Sequence, residues 1–373
     1  MTFRIPLSAP DITEAEIDAV SSVLRTPKLS LGPELAAFES ALATYHSVDH
    51  AVAVSSGTAG LHLALLTLGV GPGHEVIVPS FAFIAVANTV LQTGATPVLA
   101  EIDPVSLNLD PASVEQAITP YTRAILAVHT FGVPVEMEAL QSIVRRYGLA
   151  LIEDACEAIG AEFDHRRVGS FGNLTVLGFY PNKQITTGEG GALLCSTPAH
   201  ATRLRSLRNQ GRQPGGEWLD HAEPGYNYRL SEMACALGRV QLSRIGEILA
   251  LRHAAAKRYD ALLGEIPGLE RPPLTLPRRV ISWFVYVVRL PEGVSRDDVH
   301  LFLANRGIAT GRYFAPIHQQ PAWLAHSTSV SRGLALTESI AQRTLALPFF
   351  TRIEASQQQE AAEALSDAIL SLL

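Results

Sequence analysis

Lysine is nearly absent from this chain. Of the 29 lysines and arginines in 373 residues, only Lys28, Lys183 and Lys257 are lysines. Where a position needs only positive charge, arginine has been used. A lysine kept between apolar runs, as Lys183 is in FYPNKQITTGEGG, therefore points to a task a guanidinium cannot perform, such as losing its proton and attacking a carbonyl. Cysteine is scarce too. Cys156, Cys195 and Cys235 are odd in number, widely spaced and flanked by apolar residues. That excludes a disulfide frame and a zinc site, and it fits buried thiols in a reducing compartment.

Runs of positive charge are missing. With a net charge of -7 and a pI near 6.0, the chain does not read as a nucleic-acid binder. The one arginine-rich stretch, LRSLRNQGR, reads either as a solvated helix face or as a small basic patch. Long apolar runs are also lacking. Residues 76–100 are uncharged and long enough to span a bilayer, but Pro79, Asn88, Gln92, Gly94 and Pro97 break them into strand, helix and strand of a globular core. The opening MTFRIPLSAPD has no apolar centre of a signal peptide. The expectation is a soluble cytoplasmic protein with no membrane, nucleic-acid or metal partner.

What is present is a chain 47% hydrophobic and long enough for two domains. Asp11-Ile-Thr13-Glu-Ala-Glu16 offers a capping box before a helix to about Leu24, and a second helix covers Glu34 to Tyr45. From there β-rich runs (HAVAVSS, EVIVPS, TPVLAEID, RAILAVHT, LALIEDA) alternate with helical patterns. The alternation predicts an α/β fold, a mostly parallel sheet covered by helices on both faces. LTVLGFY and GGALLCS follow as strand, loop, strand around Lys183. Ser231 to about Leu263 reads as one or two long helices broken near Gly246. SWFVYVVRL and IATGRYF read as strands, DDVHLFLANRG as a helix, and two helices close the chain. The expected division is a large α/β domain at 1–250 and a small C-terminal α/β domain at 251–373.

In an open parallel sheet, ligands sit beyond the carboxyl ends of the strands, and the polar residues of interest fall there. Ser56-Gly57-Thr58 ends a strand and opens a helix; it reads as an anion-binding turn or as a routine cap. Phe81 and Phe83 follow the next strand, where an aromatic can lie on a flat cofactor or pack in the core. Asp154 ends an apolar strand in which an unpaired carboxylate is costly, and Glu153 faces the other way. His129 ends a neighbouring strand and reads as a satisfied core histidine. Together, an anion turn, an aromatic plate, a carboxylate in an apolar setting and a lysine are what pyridoxal 5'-phosphate (PLP) requires.

The segments LGPELAAFESALATY, AVSSGTAGLHLAL, GHEVIVPSFAFIAVAN, GATPVLAEID, IEDACEAIGA, FYPNKQITTGEGGALL, GYNYRLSEM and APIHQQPAW stand in one order along nearly the whole chain. In them the chain resembles the DegT/DnrJ/EryC1/StrS family of sugar-nucleotide aminotransferases. The resemblance implies fold type I, with PLP as cofactor, L-glutamate as amino donor and a nucleotide-linked keto-sugar as acceptor. It implies that Lys183 forms the internal aldimine and then moves the proton, and that Asp154 pairs with the pyridinium nitrogen. Phe83 would stack on the ring, with the Gly57 turn and the amides of Thr58 and Ala59 at the phosphate. Asn227 would reach the phosphate of a neighbouring subunit, which implies a homodimer with shared sites. His318 would lie near the sugar nucleotide; Arg212 and Arg229 are candidates for the diphosphate or the donor carboxylate, or for structural pairs. Two positions depart from the pattern. Gly178 replaces a frequent serine, which removes a hydroxyl from the phosphate site. Glu157 stands near the cofactor's phenolic oxygen in place of histidine or glutamine, so it is expected to be protonated or turned toward a donor. A PLP-dependent sugar dehydratase of the same family is a weaker reading, because those enzymes resemble this chain but carry histidine for the lysine. A non-catalytic PLP-binding regulator has no supporting segment.

Overall fold

The computed structural model describes residues 3–372, apart from 214, 218, 325–329 and 332. Two helices, α1 (Glu14–Leu24) and α2 (Pro33–His46), lead into an alternating series. It runs β1 (His50–Val54), α3 (Gly57–Thr67), β2 (Glu75–Pro79), α4 (Ala85–Gln92), β3 (Thr96–Ala100), α5 (Pro111–Ala117), β4 (Thr122–Val128), α6 (Met137–Tyr147) and β5 (Ala150–Asp154). Two short strands, β6 (Glu162–Phe163) and β7 (Arg166–Arg167), precede β8 (Leu174–Gly178), β9 (Gly191–Cys195), α7 (Pro198–Arg208), α8 (Glu232–Ser243) and α9 (Ile245–Leu262). The rest comprises β10 (Arg279–Val280), β11 (Tyr286–Arg289), α10 (Arg296–Asn305), α11 (Pro321–Leu324), β12 (Val330–Ser331), α12 (Ala335–Arg343), β13 (Thr344–Leu347) and α13 (Ala355–Leu372).

The main sheet has eight strands in the order β1-β9-β8-β5-β4-β2-β3-β12, and only β9 runs against its neighbours. The expected mostly parallel α/β sheet is therefore what forms. Its strands are buried on both faces because both faces carry helices. Leu61 and Leu65 of α3, Val90 of α4 and Leu204 of α7 pack with Val54, Val78, Leu126 and Val176. Val114 of α5 and Leu140 of α6 cover Ile77, Val98 and Ile125 on the other side. A separate core gathers Tyr259, Tyr286, Val288, Leu303, Leu345 and Leu365 around the antiparallel pair β11 and β13. The chain crosses between these cores four times, because Ile5 joins the C-terminal one before β1, and Ile317 and Trp323 return to the first between Ile308 and Leu345.

Three local expectations are sharpened or changed. IATGRYF forms no strand; only isolated bridges tie Ile308 to Ile5 and Gly311 to Ala346, so the segment is irregular backbone held at two points. The long helix breaks near Gly246 as expected, at Arg244. The Arg244 side chain reaches back to Asp11 and Glu16, both at 2.7 Å. The arginines of LRSLRNQGR are not a free basic patch: Arg208 is buried against Glu39, and Arg205 lies 3.4 Å from the same carboxylate. Among the described residues no helix is long and apolar enough to cross a membrane.

Candidate active site

A cavity of about 410 Å³ opens beyond the carboxyl ends of β1, β2, β5 and β8. Each strand ends by handing it a residue. After β1, Ser56 caps α3, its Oγ accepting the Ala59 N–H at 3.0 Å. The amides of Gly57 and Thr58, the next two donors, have no partner among the described residues and line the cavity. An α-helix N-terminus with free amides is a ready anion site. After β2, Phe83 lines the same cavity and is 62% exposed, so its ring face is open to a ligand. Phe81, by contrast, is wholly buried.

Lys183 arrives on the loop joining the antiparallel strands β8 and β9. Phe179 N–H to Gly190 O at 2.9 Å and Thr187 N–H to Phe179 O at 3.0 Å close that loop tightly. Its glycine-rich tail has specific steric reasons. Gly188 takes a left-handed φ of 80°, and a Cβ on Gly191 would lie 2.7 Å from the Ser56 carbonyl. The two glycines let the lysine loop and the anion turn abut. Gln184 then ties the loop to its surroundings, donating to Glu157 O at 2.6 Å and Ser282 O at 3.0 Å. Lys183 Nζ lies 3.4 Å from Glu157 Oε1 and 3.9 Å from the centroid of the Phe284 ring.

The acids at the site differ in partners. Asp154 is buried, accepts the Cys156 N–H at 3.0 Å, and belongs to none of the described ion pairs. A carboxylate so placed is suited to a cationic group brought by a ligand. Burial first, and the Asp154 charge next, hold the Cys156 thiol well above its ordinary range, so it stays protonated. Burial also raises the Glu157 carboxyl, opposed in part by Lys183 and by the Phe131 N–H, which donates to Oε2 at 2.9 Å. Glu157 is thus turned toward two donors, as expected of an acid in that place.

The residues fit PLP. Amine, carboxylate, aromatic face and helix N-terminus line one cavity, and the buried Asn182 Oδ1 beside Lys183 has no partner. The loss at Gly178 also has a structural counterpart. A Cβ there would meet Cys156 Cβ and Sγ at 3.0 Å, so the thiol fills the space a side chain at 178 would need.

The structure thus brings together Gly57, Thr58, Phe83, Asp154, Glu157 and Lys183. Ala59, Asn227, Arg212, Arg229 and His318 do not line this cavity. Ala59 has given its amide to the Ser56 cap. Asn227 is exposed. Its neighbours Tyr226 and Tyr228 stack on each other and pack against His62 of α3, turning Asn227 outward. Arg229 donates to Asn209 Oδ1 and Gln210 Oε1 at 2.9 and 2.8 Å, and the backbone of Arg212 bridges to His221. His318 bonds to Ser80 and Glu338. His129, buried as expected, has both ring nitrogens in use, toward Glu153 and the Val135 amide. Sequence reasoning missed Tyr180, Asn182, Phe284, Tyr313 and Phe314, which also line the cavity. The aromatic pair in GRYFAP was the available signal.

The profile of the DegT/DnrJ/EryC1/StrS aminotransferase family matches residues 10–366. The chain is 41% identical over 325 residues to GDP-perosamine synthase of Caulobacter vibrioides, covering 86% of this chain and 87% of that one. It is 39% identical to dTDP-3-amino-3,4,6-trideoxy-alpha-D-glucose transaminase of Streptomyces venezuelae, covering 98% and 96%. Among solved structures, S. venezuelae DesV in complex with a ketimine intermediate superposes with a TM-score of 0.91 at 38% identity, covering 98% of each chain. The PLP form of the putative sugar aminotransferase Spr1654 from Streptococcus pneumoniae gives a TM-score of 0.93 at 27% identity, covering 99% of each.

Proposed function

This chain belongs to the DegT/DnrJ/EryC1/StrS aminotransferase family and is a PLP-dependent transaminase of fold type I, and from that premise we propose a substrate and a set of residue roles. It moves an amino group from L-glutamate to the ketone of a nucleotide-linked sugar, in the synthesis of a deoxyamino sugar. The observation that carries this reading is the Lys183 amine set in one cavity with the unpaired Asp154 carboxylate and the free amides of α3.

When bound, the cofactor supplies an electron sink that lets the α-proton of the amino donor leave. The chain does the rest. Lys183 would hold the cofactor through its carbonyl carbon, and its Nζ is the group placed to move the donor's proton. Asp154 would keep the ring nitrogen protonated, and the amides of Gly57 and Thr58 would donate to the phosphate. Phe83 would offer its exposed face to the ring. Glu157 stays beside the amine, held by the Phe131 N–H.

Asn227, Arg229 and Arg212 lie outside the cavity of their own chain, and the exposure of Asn227 suits a second copy whose site it completes. The reading is a homodimer working in the reducing cytoplasm, where its three free thiols persist. Each chain divides near residue 250 into a large cofactor-binding unit and a small C-terminal one, supported by their separate cores. Incubating the protein with L-glutamate and a panel of keto-sugar nucleotides, with mass spectrometry of the products, tests the function. An aminated sugar nucleotide is expected from at least one acceptor, and none from Lys183→Ala; equal product from that variant sinks the mechanism.

A further inference from the structure

We propose that His318 is a positioning residue: it latches the Tyr313–Phe314 wall of the cavity to the end of β2 and does not itself bind substrate. This rests on the transaminase reading for its kinetic consequence and on geometry alone for the latch. Ser80 Oγ lies 2.7 Å from His318 Nδ1, and His318 Nε2 lies 3.0 Å from Glu338 Oε1. The backbone joins in: His318 N–H points to Ser80 Oγ at 3.4 Å, and Ile317 N–H donates to Ser80 O at 2.9 Å. Donor counting closes the network. Ser80 gives its one proton to Nδ1 while accepting from the amide, which leaves Nε2–H to donate to Glu338.

A serine, histidine and glutamate in a row resemble a hydrolytic nucleophile with its base. Ser80 is fully buried, however, and lies outside the cavity lining, so no substrate meets its hydroxyl. What the row can transmit is position. Ser80 follows β2 directly, three residues before Phe83. Glu338 sits in the first turn of α12, whose Leu336 and Thr337 amides both donate to Glu101 at 3.0 Å. Between them, Ile317 and Trp323 anchor the loop in the main core. Upstream, Phe314 packs 5.9 Å from Phe81 and 5.3 Å from Phe131, and Tyr313 and Phe314 line the cavity. One histidine thereby sets the distance between the aromatic wall at Phe83 and the one at Tyr313.

The test uses Glu338→Ala, Ser80→Ala and His318→Leu. Glu338 is 43% exposed, so its removal leaves the fold intact. In the cofactor-free protein, amide hydrogen exchange in residues 313–320 is expected to rise about tenfold in each variant, the scale of one lost hydrogen bond to a charged group. In turnover, the KM for the keto-sugar nucleotide is expected to rise about fivefold with kcat within about twofold, and Ser80→Ala combined with His318→Leu to be no worse than His318→Leu alone. His318→Gln, which can still bond Glu338, recovers part of the KM. If His318→Leu raises KM while Ser80→Ala and Glu338→Ala change neither KM nor exchange, His318 touches substrate directly and the latch is wrong. Unchanged exchange in all three variants overturns it as well. Because exchange needs no turnover, a wild type without transaminase activity would refute the functional reading and leave the latch to its own result.

Discussion

At the residue scale, Glu157 carries the most specific consequence. Burial raises its carboxyl, and Lys183 and the Phe131 amide offset that only in part. The folded protein therefore holds this proton more tightly than the unfolded chain does. Stability contributed by the protonated acid is present below the ordinary glutamate pKa of ~4.3 and is lost as pH rises through the raised value. Glu157→Gln removes that dependence. The melting temperature of the cofactor-free variant is expected to gain on the wild type as pH goes from 4.5 to 7; a constant difference across that range contradicts the assignment. Lysine scarcity made Lys183 legible from sequence alone, and Asp154 stood out as an acid ending an apolar strand. Phe284 did not, because it reaches the amine from the segment just before β11, 101 residues away, and nothing in its local pattern distinguishes it from core.

At the scale of elements, the alternation of short apolar runs with helical patterns was enough to read the parallel sheet. Each strand of that series is five or seven residues long and buried along nearly its whole length. The two-residue strands β6, β7 and β10 carry no period, and the β-rich segment 308–314 finds only the single bridges at Ile308 and Gly311. The glycines of TTGEGG were legible as a signature, and their steric reason emerged only from the close approach to Ser56. Gly191→Ala forces its Cβ to within 2.7 Å of the Ser56 carbonyl and displaces the anion turn. Cofactor affinity, followed by fluorescence titration, is expected to fall about tenfold or more, comparable with one lost charged hydrogen bond; an unchanged affinity would separate the turn from the phosphate. The helix α1 is docked by a different device. Burial alone would push the Glu16 carboxyl up, but hydrogen bonds from Thr13, Gln241 and Arg244 win and hold it at about 2. Its stabilisation is present above the unfolded value and lost as pH falls from ~4.3 toward that figure. Glu16→Gln should cost about 2 kcal/mol in urea unfolding at pH 7, and the difference should shrink by pH 3. A gap that persists at pH 3 would assign the cost to packing.

At the scale of the whole molecule, the cavity of one chain holds the amine and the acid, while Asn227 faces outward from the segment Tyr226 and Tyr228 pin to α3. If two copies share sites, Lys183→Ala and Asn227→Ala should complement each other. Random exchange of the two inactive subunits is expected to restore about one quarter of wild-type activity, from hybrids with one intact site. No recovery after verified exchange would place each site within one chain. The expectations for the site and for the subunits depend on which amine meets the cofactor. Borohydride reduction of the PLP-loaded protein followed by peptide mass spectrometry identifies it directly. The account predicts one added pyridoxyl phosphate on the peptide carrying Lys183 and none on those carrying Lys28 or Lys257. A tag on either of the other lysines, with Lys183 unmodified, contradicts it.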